Sequence, residues 1–126
     1  MFNKIFGEMS FDSSWEKKET IKMFEREYNI AVIATAYYES EGITPDQEES
    51  YAFFEKNKNE IFSRIQTKLL QNVGNKDKVL NIFTPSTLLI QKDGSAAILF
   101  DKKNSEDGTA FTISLDVEEV AQDSFL

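Results

Sequence analysis

The stretch TPDQEESYAFFEKNKNEIFSRIQTKLLQNV, Thr44 to Val73, decides the fold. Thr44 is an N-cap residue, Pro45 suits the first helical position, and Gln47 completes a Thr-x-x-Gln capping box. Behind that opening, Tyr51, Phe54, Ile61, Phe62, Ile65, Leu69 and Val73 recur at helical spacing, a stripe that must pack on something. Gly74 supplies the stop. The stretch is one long amphipathic helix or a helix broken once. Two residues break its pattern. Lys58 falls near the middle of the stripe, so either its stem follows the core edge with the ammonium in water, or the helix kinks there. Phe53 lies well off the stripe, as a satellite contact with a loop or as an aromatic anchor at an interface.

Working back from the helix, Phe2 to Phe11 reads as a short strand anchored by Phe6 and Phe11, closed by the turn cluster Asp12-Ser13-Ser14. From Trp15 the chain alternates, with Trp15, Ile21 and Met23 on one face and Glu16, Lys18, Thr20 and Lys22 on the other. Lys17 and Glu19 interrupt the apolar face. Glu25-Arg26-Glu27 makes a polar break, and Tyr28 to Tyr38 follows as a strand apolar or small on both faces, hence central to a sheet. These two segments form an antiparallel hairpin, and Glu39 to Gly42 leads into the helix.

Beyond the helix, Asn75 to Lys78 reads as a polar linker, and Val79 to Phe83 is an apolar segment of unassigned state. Pro85 restarts the chain as a strand over Ser86 to Gln91, and Asp93-Gly94 is a strong hairpin signal. Ala96 to Phe100 is a second central strand. Phe111, Ile113 and Leu115 then alternate with Thr112 and Ser114, Asp116 caps a short turn through Glu119, and Phe125 with Leu126 pack the tail. The order β-β-β-α-β-β-β, strands in runs on either side of one helix, predicts a single α+β domain over 1–126, an antiparallel sheet packed on the long helix.

Composition narrows the functions. The 126 residues are 40% hydrophobic, enough for one core. Neither Cys nor His is present, which removes thiolate chemistry, the usual neutral-pH base and the commonest zinc ligand. No cofactor motif is found, since the glycines form no phosphate loop. The first residues lack the apolar core of a signal peptide and no run is long enough for a membrane span, so a cytoplasmic protein is expected. A net charge of −8 disfavours nucleic acid, which needs a basic surface, and suits either simple solubility or a protein partner with a basic surface.

Carboxylates are the only potential catalytic groups in quantity. Glu48-Glu49, Glu106-Asp107 and Glu118-Glu119 are adjacent pairs, but neighbours in sequence point apart and cooperate poorly. Asp101 to Thr112 follows a calcium loop in outline, yet Lys103 and Thr112 stand where oxygen ligands belong. Ser14 and Lys17 match Ser-x-x-Lys without the companion motifs of that chemistry. Acid is unevenly spread: after Lys103 no cation follows, while Glu106, Asp107, Asp116, Glu118, Glu119 and Asp123 do. Together with Phe53, these six are the candidate partner-binding residues. A second acidic group, Glu39, Glu41, Asp46, Glu48 and Glu49, surrounds the helix start, partly explained by the helix dipole.

The succession of Gly42-Ile43-Thr44-Pro45-Asp46-Gln47, Pro85-Ser86-Thr87-Leu88-Leu89-Ile90, Asp93-Gly94, Glu106-Asp107-Gly108 and Val120-Ala121-Gln122-Asp123 resembles a group of small uncharacterised bacterial domains. These are sometimes encoded near polymorphic or contact-dependent toxins and read as immunity proteins. The resemblance implies a non-enzymatic protein that binds and neutralises a toxin, and carries over no catalytic residue. Against it stand a small carboxylate-dependent hydrolase and a module that self-associates through a sheet edge.

Overall fold

A computed structural model describes residues 1–104, 108–113 and 118–122. Among the described residues, the main sheet has seven strands in chain order: β3 (Ser10–Phe11), β4 (Trp15–Met23), β5 (Arg26–Ala34), β6 (Phe83–Ile90), β7 (Ala96–Lys102), β8 (Thr109–Thr112) and β9 (Glu119–Ala121). Two further short strands, β1 (Phe2–Asn3) and β2 (Gly7–Glu8), pair with each other. A long helix α1 (Pro45–Val73) and a short one, α2 (Lys76–Ile82), stand between β5 and β6. The α+β class and the helix-on-sheet arrangement are as the sequence predicts.

One ladder differs from its neighbours. All pairs in the main sheet are antiparallel except β5 with β6, which run parallel with Val32 opposite Leu88. Alternating helices are needed for a sheet that is parallel throughout; a single crossover, here α1 with α2, is enough to create one parallel pair.

Helix α1 is unbroken through Lys58. Thr44 Oγ1 accepts from Gln47 N at 3.1 Å, Gln47 Oε1 accepts from Thr44 N at 2.9 Å, and Gly74 takes the left-handed conformation at φ 93°, donating its N–H to Leu70 O. Buried on the helix are Tyr51, Phe54, Ile61, Phe62, Ile65 and Leu69, packed over Ile21, Met23, Ile30, Val32, Leu88, Ile90, Ile98, Phe100 and Phe111 of the sheet. Burial of each such apolar side chain contributes about 1.5–3 kcal/mol, so this stripe outweighs the helix's many polar residues in fixing its place. Leu89, Ala97, Leu99 and Ala110 form a smaller cluster, the opposite pleats of β6, β7 and β8, which is why these strands are apolar on both faces.

Several local expectations are corrected. Phe2 to Phe11 forms three two-residue strands; Phe6 is buried as expected, but Phe11 is only half-buried and Met9 takes the second buried place. The break between β4 and β5 is a two-residue turn, Phe24-Glu25, both at positive φ (51° and 65°), the geometry that matches strand twist. Arg26 and Glu27 consequently lie within β5, which ends at Ala34 and leaves Tyr37 and Tyr38 outside it. Asn75 to Lys78 is no linker: Asn75 caps α2, its side chain accepting from Lys78 N at 2.9 Å. Strand β6 starts at Phe83 and contains Pro85 at a register shift, where a missing N–H is tolerated. Glu119 belongs to β9 and not to a turn. Leu115, Ser114, Asp116, Phe125 and Leu126 lie outside the described residues.

Candidate functional site

Three places gather polar chemistry. The first lies between β4 and α1, where Lys17 and Glu19 interrupt the apolar face. Both stay on that face and find partners. Tyr51 donates its phenolic hydrogen to Glu19 Oε1, Lys17 Nζ donates to Phe6 O at 2.6 Å, and Lys17 sits 4.7 Å from the centre of the Tyr51 ring. Lys58, two turns beyond Tyr51, pairs with Glu55 at 3.1 Å and Glu19 at 3.9 Å while its side chain stays about a third exposed, so its ammonium meets carboxylates at the edge of the core.

Glu19 and Glu55 lie close enough to interact, and a proton on one of them would let the two carboxyls share a hydrogen bond. Such sharing would give a partner to Glu19 Oε2 and Glu55 Oε1, which are buried without a hydrogen-bond donor. Burial and the bond to Glu55 push Glu19 above the usual glutamate range, against the lowering effect of Tyr51 and Lys58. Glu55 is pushed up by burial, but its bonds with Glu19, Tyr51 and Lys58 outweigh that and hold it low. Burial, then the neighbouring carboxyls, keep the Tyr51 phenol protonated far above its ordinary range. The arrangement ties sheet to helix, and neither glutamate lines the clefts described next.

The second place is a cleft of about 1130 Å³ at the carboxyl ends of the parallel strands β5 and β6. Hydroxyls of Ser13, Ser14, Thr35, Ser95 and Thr112 line it, with Tyr37 and Lys92 at its side. Ser13 is held at φ 72°, an uncommon conformation for serine. Lys92 lies 3.9 Å from the Tyr37 ring centre and is ion-paired to Glu41, whose carboxyl it holds below the usual range. Tyr37 and Tyr38 are 81% and 69% exposed, unusual for such large side chains.

A third place adjoins the second. The first turns of α1 and the β6–β7 turn border an open groove of about 550 Å³ that shares Asp93, Gly94 and Ile113 with the cleft. Gln47, fully buried, fixes this end of the helix by donating from Nε2 to Thr35 O at 2.9 Å and Ile90 O at 3.2 Å. Thr44 Oγ1 donates to Lys92 O at 2.8 Å, and Ser50 Oγ donates to Gly94 O. Phe53, half-buried, forms part of the groove wall while packing on the main core.

Of the acidic residues expected to bind a partner, Glu106, Asp107, Asp116 and Asp123 lie outside the described residues. Glu118 is exposed. Glu119 is exposed too, but its carboxylate accepts from Asn72 Nδ2 at 3.1 Å and Thr109 Oγ1 at 2.7 Å, a tie between β9, β8 and α1. Glu39, Asp46 and Glu49, from the second acidic group, are exposed around the helix start. The alternating charges of β4 carried a signal for the Glu19 cluster; nothing in the sequence marked Tyr37 and Tyr38 as exposed. Among the described residues, no group of three or more acidic side chains is placed to hold a metal ion, and no helix is long and apolar enough to cross a membrane.

No curated protein and no solved structure matches the chain. Residues 5–81, from the N-terminal turn through β5 and α1 into α2, match the family described as a domain of unknown function, DUF6985. That span is more than half of the chain and contains Glu19, Tyr51, Glu55, the exposed tyrosines and the helix side of the groove, so the protein belongs to the DUF6985 family.

Proposed function

We propose that this protein is a non-enzymatic binding protein of the cytoplasm that engages a protein partner with a basic surface, in the manner of an immunity protein neutralising a toxin domain. The observation that carries the reading is the end of the molecule where the exposed Tyr37 and Tyr38 stand beside Glu39, and where Asp46, Glu49 and Asp93 surround an adjoining groove. Tyrosine offers large contact area at small entropic cost, and unpaired acid attracts a cationic surface from a distance. A net charge of −8 supports the same partner chemistry. The toxin as partner follows from the resemblance of the sequence to immunity-like domains. Co-purification with the product of the adjacent gene, at low and high salt, tests it; retention that weakens with salt is expected, and no retained partner under either condition overturns it.

A carboxylate-dependent hydrolase is the second reading, favoured by the convergence of Glu19 and Glu55. It requires substrate to reach that pair. Hydrolysis abolished by Glu19→Gln in the folded protein would support it, while the engagement of the two carboxylates by Tyr51 and Lys58 in a tie between sheet and helix favours the binding role.

A further inference from the structure

We propose that the groove between the start of α1 and the β6–β7 turn is the docking point for an arginine side chain of the basic partner. The inference rests on the basic-partner reading and adds to it a place and a residue type.

Its floor is apolar. Phe53 and Ile113 are half-buried against the main core and leave part of their surface open to the groove. Its rim is acidic. Asp46, Glu49 and Asp93 are exposed, and none joins an ion pair among the described residues. The cation beside Asp93 in sequence, Lys92, is engaged by Glu41 and the Tyr37 ring, so it does not neutralise the rim. The helix dipole explains why carboxylates stand in the first turns of α1, but not why they surround exposed aromatic and branched carbon.

The walls are fixed before anything binds. Gly94, at φ 91°, brings the turn so close to the helix that an added Cβ would lie 3.0 Å from Asp46 O and 3.2 Å from Ser50 Oγ. Ser50 then closes the contact by donating to Gly94 O. Asp93 accepts from Ser95 N at 2.9 Å, which holds its carboxyl below the usual range and sets its position.

Arginine is the occupant these features fit. Its planar guanidinium stacks on an aromatic face while its edge forks to carboxylates, and its three-carbon stem covers apolar surface. Lysine carries a more strongly hydrated point charge without the plane, and gains less from Phe53. The space, about 550 Å³, lies in the range of roughly 300–1,000 Å³ typical of small-ligand sites, ample for one such side chain.

The test titrates the full chain with hexa-arginine and hexa-lysine peptides and with N-acetyl-arginine amide at low salt, following backbone and methyl NMR shifts. Saturable shifts at Ser50, Phe53, Gly94 and Ile113 are expected, larger with arginine than with lysine. The double variant Asp46→Asn/Glu49→Gln, which leaves the core intact, should weaken hexa-arginine binding by about tenfold or more, and Phe53→Ala should remove the preference for arginine. Hexa-arginine shifts that fall elsewhere and persist in the double variant overturn the groove while leaving the basic-partner reading standing. Equal response to lysine overturns the residue type, and no response to either peptide removes both the groove and the basic partner.

Discussion

Gln47 Nε2 donates to Ile90 O at 3.2 Å, joining the first turn of the long helix to the end of a central strand. The same nitrogen donates to Thr35 O, just past the neighbouring parallel strand, while Gln47 Oε1 completes the helix cap. One fully buried amide thus organises the junction on which the cleft and the groove are built.

Replacing Gln47 by Leu keeps most of the volume but leaves the Thr44 N–H and Thr35 O without this partner, while Ile90 O keeps the Thr35 N–H. An unsatisfied buried polar group costs about 1–3 kcal/mol, so a loss of about 2–4 kcal/mol is expected by urea unfolding. Gln47→Glu is the sharper probe. It keeps the acceptor for Thr44 and sets a carboxyl against two carbonyl oxygens, so its stability should recover as pH falls and the carboxyl protonates. A Gln47→Glu protein as stable as wild type at neutral pH would show that the junction does not depend on the donor.

The Glu19–Glu55 pair makes stability depend on pH in a chain with no histidine to confuse the window. Glu19 is raised on folding, so its contribution is fullest below the unfolded value, about 4.3, and drains as pH rises through its higher folded value. Glu55 is lowered, so its contribution is present above about 4.3 and is lost as pH falls through its folded value. The urea midpoint of the wild type should therefore decline as pH rises from mildly acidic towards neutral. In Glu19→Gln that part of the slope should vanish, since the amide can donate to Glu55 and accept from Tyr51 at any pH. An unchanged slope in the variant would assign it to other carboxylates.

These two sites were legible to different degrees, and locality is the reason. The limits of α1 follow from Thr44, Pro45, Gln47 and Gly74, whose cap chemistry acts within one turn, and the structure places both ends where those residues predict. The Asp93-Gly94 hairpin is local in the same sense. Gln47 was readable as a cap residue but not as a donor to Thr35 and Ile90, 12 and 43 positions away. Tyr51 and Glu19, 32 residues apart, meet only because β4 and α1 share a core, so Glu19 looked like a flaw in a strand when it is one half of a cross-element tie. Phe53 is the exception among long-range features. Its place off the apolar stripe left open a loop contact or an interface anchor; in the structure it packs against the main core and also lines the groove.

Gly94 should resist substitution more than its place in an exposed turn suggests. At φ 91° a side chain costs about 1–2 kcal/mol from backbone strain alone, and the added Cβ also presses on Asp46 O. Gly94→Ala is expected to lower stability by at least that strain and to disturb the start of α1, seen as faster amide exchange at Gln47 to Ser50. Exchange unchanged there would mean that the turn yields without passing the strain to the helix.

Tyr37 and Tyr38 separate function from stability. Their side chains are largely exposed, and among the described residues Tyr38 is in none of the ring contacts of the core, so Tyr38→Ala should change unfolding free energy by no more than about 0.5 kcal/mol. Tyr37→Ala removes the surface on which Lys92 rests and should cost slightly more, about 0.5–1 kcal/mol. If these rings are interface anchors, each substitution should weaken the partner complex by about 2 kcal/mol or more, near thirtyfold in Kd, with the loss mainly in the dissociation rate. Charge removal at Asp46 and Glu49 should instead lower the association rate and its salt dependence. Calorimetry and surface-binding kinetics on the captured complex distinguish the two. Full affinity in the Tyr37→Ala/Tyr38→Ala double variant would move the interface away from this end of the molecule.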